Sequence, residues 1–265
     1  MRRPSGQNLT YAIVEELGHA VVTQAYGDAV PFPIEAELCK QFGASRTVLR
    51  EAVKMLTAKG LLSARPRQGT WVEPEKNWNL LDPDVLRWLL ERKFSLDLLA
   101  EFTEVRFAIE PSAAALAARS ATPEGLARIH RAIERMKLAS QGEDDPLESD
   151  IAFHVAVLHA TGNRFYAQLE DVINAALRIS IRLTNSVKGV PQADVALHKK
   201  VLDAIEAGDA KKARSIMEDI VTEVLDLIQT ARRKNNKAAA SRGATTAAPR
   251  AASGSRNGSA RRRAS

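Results

Sequence analysis

Three side chains in the second half of the sequence have types and a spacing that can do chemistry. The segment "ESDIAFHVAVLHA" carries Asp150 and His154. They stand four residues apart, which puts them on one face of a helix. Ile151, Val155 and Leu158 accompany them, and His198 lies in a later segment, "ADVALHKKVLDAI". One carboxylate and two imidazoles are a donor set for a divalent metal such as zinc. The same residues also describe an Asp–His hydrogen bond inside a core, where an unpaired polar group is costly. Spacing alone leaves both readings open. His159 lies five residues beyond His154, points elsewhere and is left out of the set.

A second group has the chemistry of anion binding. In "EVRFAIEP", Arg106 and Glu110 are one helical turn apart. An exposed intrahelical ion pair of this kind contributes only about 0.3–0.5 kcal/mol. The alternative, which we favour, is that Arg106 anchors a ligand carboxylate, which a guanidinium matches with two parallel hydrogen bonds. Arg178 in "NAALRISIRLTN" can face the same pocket, whereas Arg182 reads as surface or interface. Asn163 in "TGNRF" is a turn or cap residue first and a candidate ligand contact second.

Helices must position these groups. Between residues 94 and 230 the apolar spacing is helical over about 95–119, 123–140, 146–160, 163–187, 192–207 and 209–231. The turn signals "SATPEG", "QGEDDP", "TGN", "KGVP" and "EAGD" separate the segments. Six helices in this length predict a compact bundle.

The front of the chain has a different pattern. Helical spacing at Leu9, Ile13, Leu17 and Val21 is followed by the irregular "DAVPFPIE" and a short helix, "IEAELCKQFG". A third helix, "ASRTVLREAVKMLTAKG", opens on Ser45 as N-cap and closes at Gly60. Leu49, Val53 and Leu56 form its expected buried stripe, with Val48, Ala52 and Met55 beside it. "LLSARPRQGTWVEP" reads as two short strands around a Pro/Gly turn. Three helices and a hairpin make a winged helix-turn-helix. The fold class is therefore mainly α: a winged helix over 1–76, a linker over 77–93, an all-helical domain over 94–231, and a basic tail over 232–265. Ser45, Arg46, Thr47 and Arg50 are placed to enter a major groove, with Arg65, Arg67 and Gly69 on the wing. The linker "NWNLLDPDVLRWLLE" carries Trp78 and Trp88, expected to pack a linker helix onto the second domain.

Charge follows this division. Residues 1–76 hold ten basic and eight acidic side chains, and residues 77–230 hold eighteen and twenty-four. Residues 231–265 hold ten basic side chains and no acidic one. That tail has almost no large apolar residue and reads as disordered. No apolar run approaches the roughly 18 residues of a membrane span. No secretory signal follows the basic N-terminus, and the single Cys39 excludes an internal disulfide. A cytoplasmic location is expected.

The segment "PIEAELCKQFGASRTVLREAVKMLTAKGLLSARPRQGTWV" resembles the DNA-binding domain of GntR-family transcription regulators, with "SRTVLREAVKML" and "RQGTWV" as its specific signatures. Ala36 stands where that family often has a polar or basic DNA contact. The linker resembles the subgroup that includes galactonate-operon repressors, and the bundle resembles the effector-binding domain of the FadR-type subfamily. The resemblance implies a homodimeric regulator of double-stranded operator DNA, a repressor of sugar-acid catabolism released by its effector and not an enzyme. A different hydroxy- or dicarboxylic acid effector is the alternative, and a metallohydrolase built on Asp150, His154 and His198 the more distant one. The resemblance further implies a metal on Asp150, His154 and His198, a fourth His that is Ile220 in this chain, and an effector contact at Arg106.

Overall fold

The computed structural model describes residues 6–27, 30–65, 69–92, 95–178 and 194–245. Helices α1 (Gly6–Val22), α2 (Glu35–Phe42) and α3 (Arg46–Ala58) precede a hairpin of β1 (Leu62–Arg65) and β2 (Gly69–Val72). The strands are antiparallel, with Leu62 opposite Val72 and Arg65 opposite Gly69. This is the expected winged helix-turn-helix. Ile13, Leu17 and Val21 of α1 meet Leu38 of α2 and Leu49, Ala52 and Leu56 of α3 in one core. Ala52 takes the buried place expected of Val53, which is only half-buried.

Helix α4 (Pro83–Glu91) follows a short 3-10 turn. Asp82 caps it, accepting from the N–H groups of Asp84 and Val85, and Pro83 fits the first turn, where no N–H is needed. The two linker tryptophans do not pack on the second domain as expected. Trp78, Val85, Trp88 and Leu89 all join the winged-helix core. Gly18 explains the difference: without a side chain on α1 at this point, the Trp88 ring lies directly against the backbone. The Trp88 indole N–H also donates to Glu15 at 2.8 Å, and Arg87 pairs with the same carboxylate at 2.5 Å. Lys59, at the end of α3, bonds Asp82 and Asp84 at 2.8 Å each. Leu86, on the other face of α4, packs with Val172 and Ala175 of the bundle.

The bundle comprises α5 (Leu96–Ser120), α6 (Pro123–Ser140), α7 (Pro146–Ala160), the short α8 (Arg164–Ala167), α9 (170–178), α10 (Val195–Glu206) and α11 (Ala210–Thr245). Ser95, Thr122, Asp145 and Asp194 cap α5, α6, α7 and α10 through their side-chain oxygens. The expected helix over 163–187 is instead broken at Gln168–Leu169, and its last part lies outside the described residues. "FYAQLED" contains no Gly or Pro to announce that break. α5 and α11 make the most extensive helix–helix contact among the described residues.

The tail also needs correction. α11 runs on to Thr245, well past the expected boundary at 231. Extending an existing helix fixes one residue per added hydrogen bond, so an alanine-rich segment continues it at little cost. Ile228 packs with Leu99 and Ala100 of α5, and Arg232 pairs with Asp97 at 2.5 Å. Residues 246–265 lie outside the described part. No described helix is long and apolar enough to cross a membrane.

Candidate functional sites

The first site is the exposed end of α3. Ser45 caps it, its Oγ accepting from the Val48 N–H at 3.4 Å, so this hydroxyl is spent on the backbone. Arg46, Thr47 and Arg50 are exposed around it. Sequence reasoning missed the common partner of the two arginines, Glu35 at the start of α2. Arg50 donates through Nε and Nη2 to both Glu35 oxygens, at 3.0 and 3.3 Å. Arg46 Nε lies 3.6 Å from the same carboxylate. The Glu35 hydrogen bonds raise the already high Arg50 pKa further. Exposed pairs like these contribute little to stability, but they hold two guanidinium groups side by side at the helix tip. On the wing, the Arg65 guanidinium lies 5.4 Å from the centre of the Trp71 ring. Gly69 opens β2 at φ 91°, and among the described residues nothing lies within 4 Å of where its side chain would stand; Arg67 lies outside the described residues.

The second site is internal. α5 supplies Arg106 and Glu110, α7 supplies Asp150 and His154, and α10 supplies His198. None of the five is more than 5% exposed. His198 Nε2 lies 3.2 Å and His154 Nε2 3.7 Å from Asp150 Oδ1. Arg106 Nε donates to Glu110 Oε1 at 2.6 Å, and the other Glu110 oxygen lies 2.5 Å from His154 Nδ1. Phe153 edges both imidazoles, with ring centres at 5.4 and 4.9 Å.

Burial alone would push both carboxyls up and the His198 imidazole down. For Glu110 that push is outweighed by the adjacent Arg106 and His154, which hold it at about 2. For Asp150 it is outweighed by His198 and His154, which lower it. The His198 imidazole is raised by Asp150 and by the carbonyl of Asp194, against the effect of burial.

Asp150, His154 and His198 form a group that could hold a metal ion, with candidate donor atoms within 4.8 Å of one another. The orphaned atoms test the fit. Asp150 Oδ1, His154 Nδ1 and His198 Nε2 are buried without a hydrogen-bond partner. Asp150 and His198 are close yet not aligned on each other, as two donors aimed at a common third atom would be. Metal–donor bonds of about 2.0–2.2 Å set neighbouring donors roughly 3–3.5 Å apart. His198 Nδ1 contacts the Asp194 carbonyl at 2.7 Å, which assigns the ring proton to Nδ1 and leaves Nε2 as a free donor. The residues fit a divalent ion.

The remaining candidates lie elsewhere. Ile220 sits in the apolar core. Asn163 is exposed and caps α8, accepting from the Phe165 N–H at 2.9 Å, so it leaves the effector set. Arg178 binds Glu148 at 2.6 Å and Asn174 at 2.7 Å and is not in contact with the buried group. His159 pairs with Glu170 at 2.9 Å, apart from the cluster, and Arg182 lies outside the described residues. Glu110 was read only as the partner of Arg106. Its contact with His154 is made between two helices, and no spacing within one helix could reveal it.

Residues 9–72 match the model for bacterial regulatory proteins of the gntR family, and residues 101–223 match the FCD domain. The galactonate operon transcriptional repressor of Escherichia coli (strain K12) is 36% identical over 208 residues, 78% of this chain and 90% of that protein. The chain belongs to the GntR family. A second relative, the HTH-type transcriptional regulator YieP of Escherichia coli (strain K12), whose role is uncharacterized, is 32% identical over 78% of this chain and 90% of its own length. The structure of Lar, described as controlling the expression of the Listeria monocytogenes agr system, shares the fold. It has a TM-score of 0.53 and 15% identity, covering 87% of this chain and 99% of that one. This GntR-family chain is thus a ligand-responsive, DNA-binding transcription regulator. Its relatives are regulators, which sets the metallohydrolase alternative aside.

Proposed function

We propose that the protein represses genes for the breakdown of a small sugar acid of the galactonate type, and that the acid releases it from its operator. Two copies bind a pseudo-palindrome, because helix-turn-helix dimers read half-sites related by two-fold symmetry. Arg46 and Arg50 read base edges or phosphates from α3, and Thr47 and the wing residues Arg65, Arg67 and Gly69 approach the backbone.

The charge of the buried group carries the effector assignment. As metal donors both imidazoles are neutral, and the one guanidinium of Arg106 then stands against the carboxylates of its partner Glu110 and of Asp150, so these side chains by themselves sum to a net negative charge. Such a site repels an anion. A divalent ion such as zinc, when bound, makes the site net positive and offers open positions to a hydroxy acid. Asp150, His154 and His198 would hold it, and Ile220 leaves the set at three protein donors. Arg106 is positioned to take the effector's carboxylate. The similarity to the galactonate operon repressor agrees with this reading.

A thermal-shift and calorimetric screen of sugar acids, with and without EDTA, tests it. The expected result is binding of an aldonic acid that EDTA abolishes, together with loss of operator binding when the acid is added. Metal-free protein that binds the acid at full affinity removes the metal from the reading. Preference for a dicarboxylate replaces the effector class.

A further inference from the structure

Glu110 stands between two partners and satisfies only one. Its Oε1 is well placed on Arg106 Nε at 2.6 Å, and its Oε2 is a loose 3.4 Å from Nη2. That second oxygen lies 2.5 Å from His154 Nδ1, yet Nδ1 has no aligned hydrogen bond. All three side chains are buried, so no solvent can substitute for either partner. The other imidazole already has an acceptor on its Nδ1 side, the Asp194 carbonyl. His154 has only Glu110.

We infer that Glu110 is a positioning residue shared between the effector anchor and the metal donors. While Arg106 is unengaged, Glu110 is held by the guanidinium. When an effector carboxylate takes Arg106, Glu110 turns to accept the Nδ1 proton of His154. That fixes the imidazole with Nε2 facing Asp150 and makes it a better donor. Carboxylates behind metal-bound histidines act in this way, and losing one typically costs 10–100-fold in metal affinity. Metal and effector then strengthen each other's binding by the same factor. The inference rests on the metal-and-effector reading above.

The test uses the full chain, zinc alone and a competing chromophoric chelator. Arg106→Met imitates withdrawal of the guanidinium and should bind zinc at least as tightly as wild type. Arg106→Met with Glu110→Leu should lose about 10–100-fold. Replacing both members of a buried ion pair by apolar side chains is the change such pairs tolerate best, so this double variant should fold. Glu110→Gln keeps an acceptor without its charge and should fall between. In the zinc-loaded protein, the His154 Nδ1 proton resonance should move downfield in Arg106→Met and upfield in the double variant. A double variant that binds zinc as tightly as Arg106→Met overturns the inference, as does an unmoved resonance. If wild type binds no zinc, the metal reading itself fails. If wild type binds zinc and acid normally and only these differences are missing, the sharing by Glu110 alone is wrong.

Discussion

Gly18 and Trp88 pack so closely that a β-carbon on Gly18 would lie 2.2 Å from Cη2 of the indole. Trp88 is fully buried. In the middle of a helix, Gly→Ala ordinarily gains about 1 kcal/mol. Overpacking a core ordinarily costs about 1–3 kcal/mol. The contact here is severe, so Gly18→Ala should lower the thermal midpoint. Gly27→Ala, where nothing among the described residues lies within 4 Å of the new carbon, should stay within about 0.5 kcal/mol of wild type. Equal midpoints for the two variants would show that α4 is not seated through this contact.

Operator recognition should depend on Arg46 and Arg50. Alanine at either position should weaken specific binding by about 1–3 kcal/mol if a paired base contact is lost. Glu35→Gln removes a carboxylate that competes with DNA for both guanidinium groups. It should raise affinity for random duplex and narrow the gap to the operator. Fluorescence anisotropy on the two duplexes measures both. Unchanged operator affinity in both arginine variants would remove α3 as the reading helix.

Chelation should expose the buried donors. Any ligand that binds only the native state stabilises it, by about 2.7 kcal/mol at a hundred times its Kd. EDTA should therefore lower the midpoint of wild type by several degrees and leave His198→Ala unmoved. A His198→Ala protein that still responds to EDTA would place the metal elsewhere.

The basic extension of α11 should attract DNA without reading it. Each phosphate contact adds about 0.9 to the slope of log affinity against log salt. Truncation after Ala231 retains Ile228 in its packing with α5 and removes Arg232 and the cations beyond it. The salt slope should become shallower while effector binding is kept. Loss of effector binding would mean that the Arg232–Asp97 pair is part of the bundle's integrity.

Local signals made much of this legible. The Ser45 cap and the Asp–Pro and Thr–Pro helix starts are short-range features, and each appears where its chemistry requires. The Asp150–His154 pair was readable because helical spacing fixes a common face. What escaped depends on contacts between elements distant in sequence. Trp88 was expected on the second domain, and only the space left by Gly18 shows why it joins the winged-helix core instead. Glu35 and Glu110 look like ordinary helix-surface acids, and only the packing of α2 on α3 and of α5 on α7 brings them to the arginines and the imidazole. The length of α11 was misjudged because low hydrophobicity was read as lack of structure, although alanine and lysine extend a helix readily.

The pairing of α5 with α11 also orders the protein's birth in time. Every fully buried side chain of the winged-helix core has been synthesised once Leu89 is made, but the bundle cannot close until Ile228 has emerged to meet Leu99 and Ala100. At about 5–20 residues per second, that gap lasts roughly seven to thirty seconds. During it, a nascent chain carries a finished reading head and an unfinished sensor, so the ability to touch DNA precedes the ability to be told to let go.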